Sequence, residues 1–182
     1  MLTQLQKQKI ARLFHIYDFD SSGVITADKA ERVLRNLADI RKLPFGGPKF
    51  EAFRDGFLLY WQDLMTSIDI NQDGQITLAE WLHYHDHLLQ DEEKFKQTVL
   101  ASSKFMFKLI DANEDGKISL DEYRLWMIGF GLRDKDIVAD VFTRLDLNGD
   151  GLLSASEMMM LITDYYYSDD PNTPGSWMMG PI

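Results

Sequence analysis

Three stretches of the chain repeat one twelve-residue pattern, D-x-N-x-D-G-x-[IL]-[ST]-x-x-E: Asp69 to Glu80, Asp111 to Glu122 and Asp146 to Glu157. An acidic surface turn has no need for oxygen donors at fixed positions 1, 3, 5, 9 and 12 with a glycine at 6. A hard cation such as calcium does need them, because it takes six to eight oxygens and the chain must wrap round it to supply them. The spacing assigns Asp69, Asn71, Asp73, the carbonyl of Gln75, Thr77 and Glu80 to one ion. It assigns Asp111, Asn113, Asp115, the carbonyl of Lys117, Ser119 and Glu122 to a second, and Asp146, Asn148, Asp150, the carbonyl of Leu152, Ser154 and Glu157 to a third. The position-9 hydroxyls are expected to act through a water. Gly74, Gly116 and Gly151 supply a positive φ, without which the backbone could not turn back over the ion.

The pattern is that of an EF-hand loop, and such loops come in pairs. The missing partner lies upstream, at Asp18 to Lys29, where positions 1, 3, 5, 6 and 9 are plausible but position 12 is a lysine. An ammonium there removes two ligand oxygens and adds a repelling charge, so this first loop is expected to be empty or very weak. The alternative is a tightened loop in which Asp28 serves. Position 8 is Ile25, Ile76, Ile118 and Leu153 in turn, and these residues are expected to form short antiparallel ribbons between paired loops, so that the first loop braces the second.

Apolar residues recur with helical period before each loop and end four and one residues ahead of its first Asp: Phe14 and Tyr17, Met65 and Ile68, Phe107 and Ile110, Phe142 and Leu145. The expected fold is all-α, four helix-loop-helix units in two packed pairs. Helices are predicted over 3–17, 27–42, 50–68, 78–90, 92–110, 120–130, 134–145 and 155–167. The run Leu43-Pro44-Phe45-Gly46-Gly47-Pro48 breaks the chain between the second and third helices. An N-terminal pair is expected over 1–90, a C-terminal pair over 91–167, and a tail over 168–182. The tail holds Pro171 and Pro174 yet ends in Trp177, Met178 and Met179, so it is expected to tuck into a groove between the halves.

A net charge of −10 in 182 residues argues against nucleic-acid binding, which needs a basic face to displace counterions. The chain has no cysteine, hence no disulfide. It opens Met1-Leu2-Thr3, without a signal-peptide core and with leucine where an N-myristoylation signal has glycine, and has no run long enough to span a bilayer. A cytoplasmic monomer without a stable membrane anchor is expected.

Taken with the long first gap and the ending Tyr167-Ser168-Asp169-Asp170-Pro171, Gly175-Ser176-Trp177 and Gly180, the whole chain resembles the sarcoplasmic calcium-binding proteins, calexcitin and calerythrin-like proteins. The resemblance implies a calcium buffer that also holds magnesium, with about three Ca2+ in the second, third and fourth loops. The alternative is a calcium sensor that exposes an apolar surface to a protein target, suggested by Met158, Met159 and Met160. The group also resembles photoproteins and luciferin-binding proteins, but Ile162 stands where photoproteins place a histidine. His83 and His87 lie one turn apart with nothing to complete a transition-metal site. No catalytic constellation is visible, and an enzyme is not expected.

Overall fold

A computed structural model describes residues 1–40, 42–129 and 132–181. Its elements, in chain order, are α1 (Gln4–Tyr17), β1 (Val24–Thr26), α2 (Ala27–Ile40), α3 (Pro48–Ile68), β2 (Gln75–Thr77), α4 (Leu78–Leu88), α5 (Glu92–Phe95), a π-turn (Lys96–Leu100), α6 (Ala101–Ile110), β3 (Lys117–Ser119), α7 (Leu120–Gly129), α8 (Lys135–Leu145), β4 (Leu152–Ser154) and α9 (Ala155–Tyr167). A 3₁₀ turn, Pro174–Trp177, follows. The predicted helices are all present. The expected ends near 42 and 130 involve Arg41 and Phe130, which lie outside the described residues, as does Ile182 of the tail.

One predicted helix, 92–110, is interrupted. Its fifth to ninth residues wind as a π-turn between α5 and α6. Hydroxyls compete for carbonyls here: Thr98 Oγ1 donates to Lys94 O at 2.7 Å, and both Ser102 and Ser103 donate to Val99 O. Such side-chain bonds loosen the regular ladder and favour a local bulge.

The helix ends follow from local chemistry. Pro48 opens α3, with Gly47 extended before it, and a Cβ on Gly47 would lie 3.0 Å from Pro44 O. Asp134 caps α8 by accepting from the amides of Asp136 and Ile137. Ser154 and Glu157 form a reciprocal capping box on α9.

The chain divides into two compact units, Ala11–His85 and Met1–Ile10 with Asp86–Ile182. In the first, β1 pairs antiparallel with β2, Ile25 opposite Ile76, and both are fully buried. Phe14, Ile68, Phe50, Phe57 and Trp81 are buried in the same unit, with Phe14 edge-on to Trp81 at 6.2 Å. In the second, β3 pairs antiparallel with β4, Ile118 opposite Leu153, again with no exposure. Tyr123, Phe142, Leu145, Leu161 and Tyr165 are buried there.

The tail belongs to this second unit. Its 3₁₀ turn packs on α8 and α9, the Tyr123 hydroxyl on α7 donates to Met178 O at 2.9 Å, and Met178 is buried. Expected in a groove between the halves 1–90 and 91–167, the tail seats on α7, α8 and α9. The first turns of α1 are woven into the same place. Lys9 Nζ donates to Ser168 O at 2.8 Å, and the Tyr165 hydroxyl donates to Lys9 O at 2.6 Å. Thr3 Oγ1 donates to Asp169 at 2.6 Å, and Gln6 Nε2 reaches the carbonyls of Tyr166 and Tyr167. No described helix is long and apolar enough to cross a membrane.

Candidate metal centres

Each of the four loops begins as its helix ends. The amide of the first Asp closes the last helical turn: Asp18 to Phe14 O, Asp69 to Met65 O, Asp111 to Phe107 O and Asp146 to Phe142 O, all at 2.9–3.0 Å. The aspartate carboxylate then gathers the amides ahead of it. In the second loop Asp69 Oδ1 accepts from Asp73 N at 3.2 Å and Oδ2 from Gly74 N at 2.9 Å. Asp111 does the same with Asp115 and Gly116, and Asp146 with Asp150 and Gly151.

This curl demands the left-handed region at two positions. Position 6 is always glycine, with φ between 79° and 87°. A Cβ at Gly74, Gly116 or Gly151 would meet no atom within 4 Å, so the requirement is conformational and not one of space. Position 4 is also left-handed, at Ser21, Gln72, Glu114 and Gly149. Sequence reasoning missed this role, and only Gly149, with no Cβ to strain, could have signalled it.

The glutamate at position 12 is held from behind. Glu80 Oε2 accepts from Thr77 N and Oγ1 at 2.9 and 2.8 Å. Ser119 holds Glu122, and Ser154 holds Glu157, by the same pair of bonds. The position-9 hydroxyls thus also orient the position-12 carboxylate. Glu80 is held below the usual carboxylate range mainly by the Thr77 amide. Burial pushes Glu122 and Glu157 up, but the bonds from Ser119 with the Ala112 and Asn113 amides, and from Ser154 with the Asn148 amide, together outweigh it and leave both acids stronger than normal.

Among the described residues no three His, Cys, Asp or Glu side chains form a ready metal cluster. In the second, third and fourth loops an Asn side-chain oxygen and the position-7 carbonyl are the further oxygens available beside the carboxylates. That mixed, all-oxygen set suits calcium or magnesium and not a transition metal. Glu157 Oε1 is buried with no hydrogen-bond partner among the described residues, as a second ligand oxygen of a bidentate carboxylate would be.

The first loop shows what such a ring of oxygens gathers around. Lys29 Nζ lies 2.5 Å from Asp18 Oδ1 and 2.7 Å from both Ser22 Oγ and Val24 O, and it also bonds Asp20 Oδ1. These are the donors at positions 1, 5, 7 and 3, so a cation does sit in this loop, tethered to position 12. Asp28, the alternative ligand, is exposed. The Lys29 hydrogen bond takes Asp20 down to about 2.

The remaining candidates fall outside the loops. His83 and His87 are exposed on α4. Met158 is buried and Met160 is 55% exposed. Met159 lines a cleft of about 780 Å³ beside the third loop, with Phe107, Lys104 and Lys108.

The family described as an EF-hand domain pair matches residues 59–128, and that described as an EF hand matches residues 137–162. Calerythrin of Saccharopolyspora erythraea is 24% identical over 169 residues, covering 92% of this chain and 95% of calerythrin. The structure of a sarcoplasmic calcium-binding protein from amphioxus superposes with a TM-score of 0.80 at 22% identity, over all of both chains. The coelenterazine-binding protein of Renilla muelleri, in its calcium-loaded apo form, superposes with a TM-score of 0.78 at 22% identity, again over all of both chains. These matches and the repeated loop geometry make the chain an EF-hand protein, similar to calerythrin and to the sarcoplasmic calcium-binding proteins.

Proposed function

We propose that the chain binds about three Ca2+ through its second, third and fourth loops, and acts mainly as a cytoplasmic Ca2+/Mg2+ buffer rather than an enzyme. The observation that carries this reading is the Lys29 ammonium seated on positions 1, 3, 5 and 7 of the first loop. The same backbone curl recurs in the other three loops, where position 12 is a glutamate instead of a tethered cation. Each of those loops brings together three carboxylates whose mutual repulsion a divalent ion relieves.

A buffer's role is supported by the tail, which already covers apolar surface on α8 and α9 that a sensor would offer to a target. The sensor reading draws on one specific feature, the cleft beside the third loop with Met159 in its wall. Isothermal titration with calcium, repeated in excess magnesium, tests the assignment. Three sites with competition by magnesium are expected, and no calcium heat would end the reading. Calcium-dependent capture on a phenyl resin would favour the sensor.

A further inference from the structure

The first loop has the curl of the other three, with the Lys29 ammonium among its oxygens. Ser22 N and Gly23 N donate to the two oxygens of Asp18 at 3.1 and 2.9 Å, matching Asp73 and Gly74 on Asp69. Ser21 and Gly23 take φ values of 56° and 87°, beside 57° and 79° for Gln72 and Gly74. What replaces the ion is enclosed. Lys29 and Asp18 are 8% and 3% exposed, and the Phe19 ring faces the ammonium at 5.8 Å. Burial pulls the Lys29 ammonium toward neutrality, but the bonds to Asp18 and Asp20 more than reverse this and hold it charged.

We propose that the first loop is a cation site with its cation built in: the Lys29 ammonium keeps it closed at every calcium level, and through the β1–β2 ribbon it positions the second loop to bind calcium. The second part rests on the reading of that loop as a calcium site. The ribbon gives the mechanism. Val24 pairs with Thr77 and Thr26 with Gln75. Gln75 carries the position-7 carbonyl, and Thr77 orients Glu80. A first loop that stays closed therefore orders two elements of the second site before any ion arrives, and preorganisation of this kind raises apparent affinity. The third and fourth loops have no such support, because each is ribboned to a partner with three carboxylates of its own. Lys29 is thus a positioning residue for the second loop.

Amide NMR of the full chain tests both parts, because the position-6 glycine N–H bonded to the first Asp gives each loop its own downfield signal. In chelator the Gly23 signal is expected to be downfield in the native chain, while those of Gly116 and Gly151 shift only when calcium is added. Lys29→Met keeps the length and removes the charge. It should abolish the downfield Gly23 signal in chelator and weaken calcium binding at the second loop, followed through Gly74, by about tenfold. The Gly116 and Gly151 titrations should stay unchanged, which a general loss of structure would not allow. Lys29→Glu should make the Gly23 signal calcium-dependent and raise the stoichiometry by one. A downfield Gly23 signal that survives Lys29→Met in chelator overturns the built-in cation, and an unchanged Gly74 titration overturns the coupling. If Gly74 in the native chain ignores calcium, the second loop is not a calcium site and the coupling falls with it, while the Gly23 signal still decides the first part on its own.

Discussion

At the scale of single residues, position 12 is the strongest lever in the second, third and fourth loops, because an EF-hand loop draws two ligand oxygens from that position and here the position-9 residue holds its carboxylate. Glu157→Gln keeps the size of the side chain but replaces one carboxylate oxygen by an NH2 group that cannot coordinate, and removes the negative charge. It should remove one ion from the stoichiometry measured by titration while leaving helicity intact in excess calcium. An unchanged count would remove the fourth loop from the set of sites. His85 controls a different property. It is buried on α4 with Nδ1 2.7 Å from Trp81 O, so Nδ1 carries the proton of a neutral ring. Burial lowers its pKa to about 4, against a usual 6.5. The unfolded chain then binds more protons between these values, so stability is full above about pH 6.5 and falls as the pH drops toward 4, by about 3 kcal/mol at the acid end. Denaturant unfolding of His85→Leu between pH 7 and 4 should show that slope flattened, and an unaltered slope would assign acid loss elsewhere. The four loops were legible because ligand chemistry fixes the spacing of their residues. His85 was not, since its importance comes from burial, which three histidines in five residues do not reveal.

At the scale of elements, the helices were legible because apolar period and loop spacing reinforce each other. The π-turn at Lys96–Leu100 was not, because it depends on which carbonyls Thr98, Ser102 and Ser103 choose. The tail shows the same division. Its prolines and terminal Trp177 announced an irregular, apolar segment, but its seat is set by close contacts that no period encodes. Gly175 is the tightest of them: its amide donates to Asp164 Oδ2 at 2.8 Å, and an added Cβ would fall 2.5 Å from Leu161 O. Backbone on one side leaves no flexible neighbour to yield. Beyond it, Trp177 stacks on the Arg144 guanidinium at 4.1 Å, tying the turn to α8 as well. Gly175→Ala should therefore lift the turn off α9, at a cost of about 1–3 kcal/mol. The expected readouts are a lower melting temperature and increased binding of an apolar dye by the calcium-loaded protein. Unchanged melting would mean that the tail contributes little to this unit.

At the scale of the whole molecule, stability and cation binding are linked through a net charge of −10, much of it placed in the loops. The two units carry this burden unequally. The unit Ala11–His85 holds one loop with three carboxylates and one whose two ligand aspartates face a lysine. The unit of Met1–Ile10 with Asp86–Ile182 holds two loops of the first kind, and an exposed pair, Lys117 to Asp150, links them. An exposed pair of that sort contributes little. The second unit should therefore be the less stable in chelator and gain more from calcium. With each site held at about a hundred times its dissociation constant, two ions add about 5 kcal/mol to that unit and one adds about 2.7 kcal/mol to the other. Native-state hydrogen exchange resolves the two, reading Ile118 and Leu153 in one ribbon against Ile25 and Ile76 in the other, since all four are buried and their strands are paired. The expected result is weaker protection of the β3–β4 ribbon in chelator and a larger rise on adding calcium. An equal rise in both ribbons would mean that the two units unfold as one, or that the count of open sites differs from one and two.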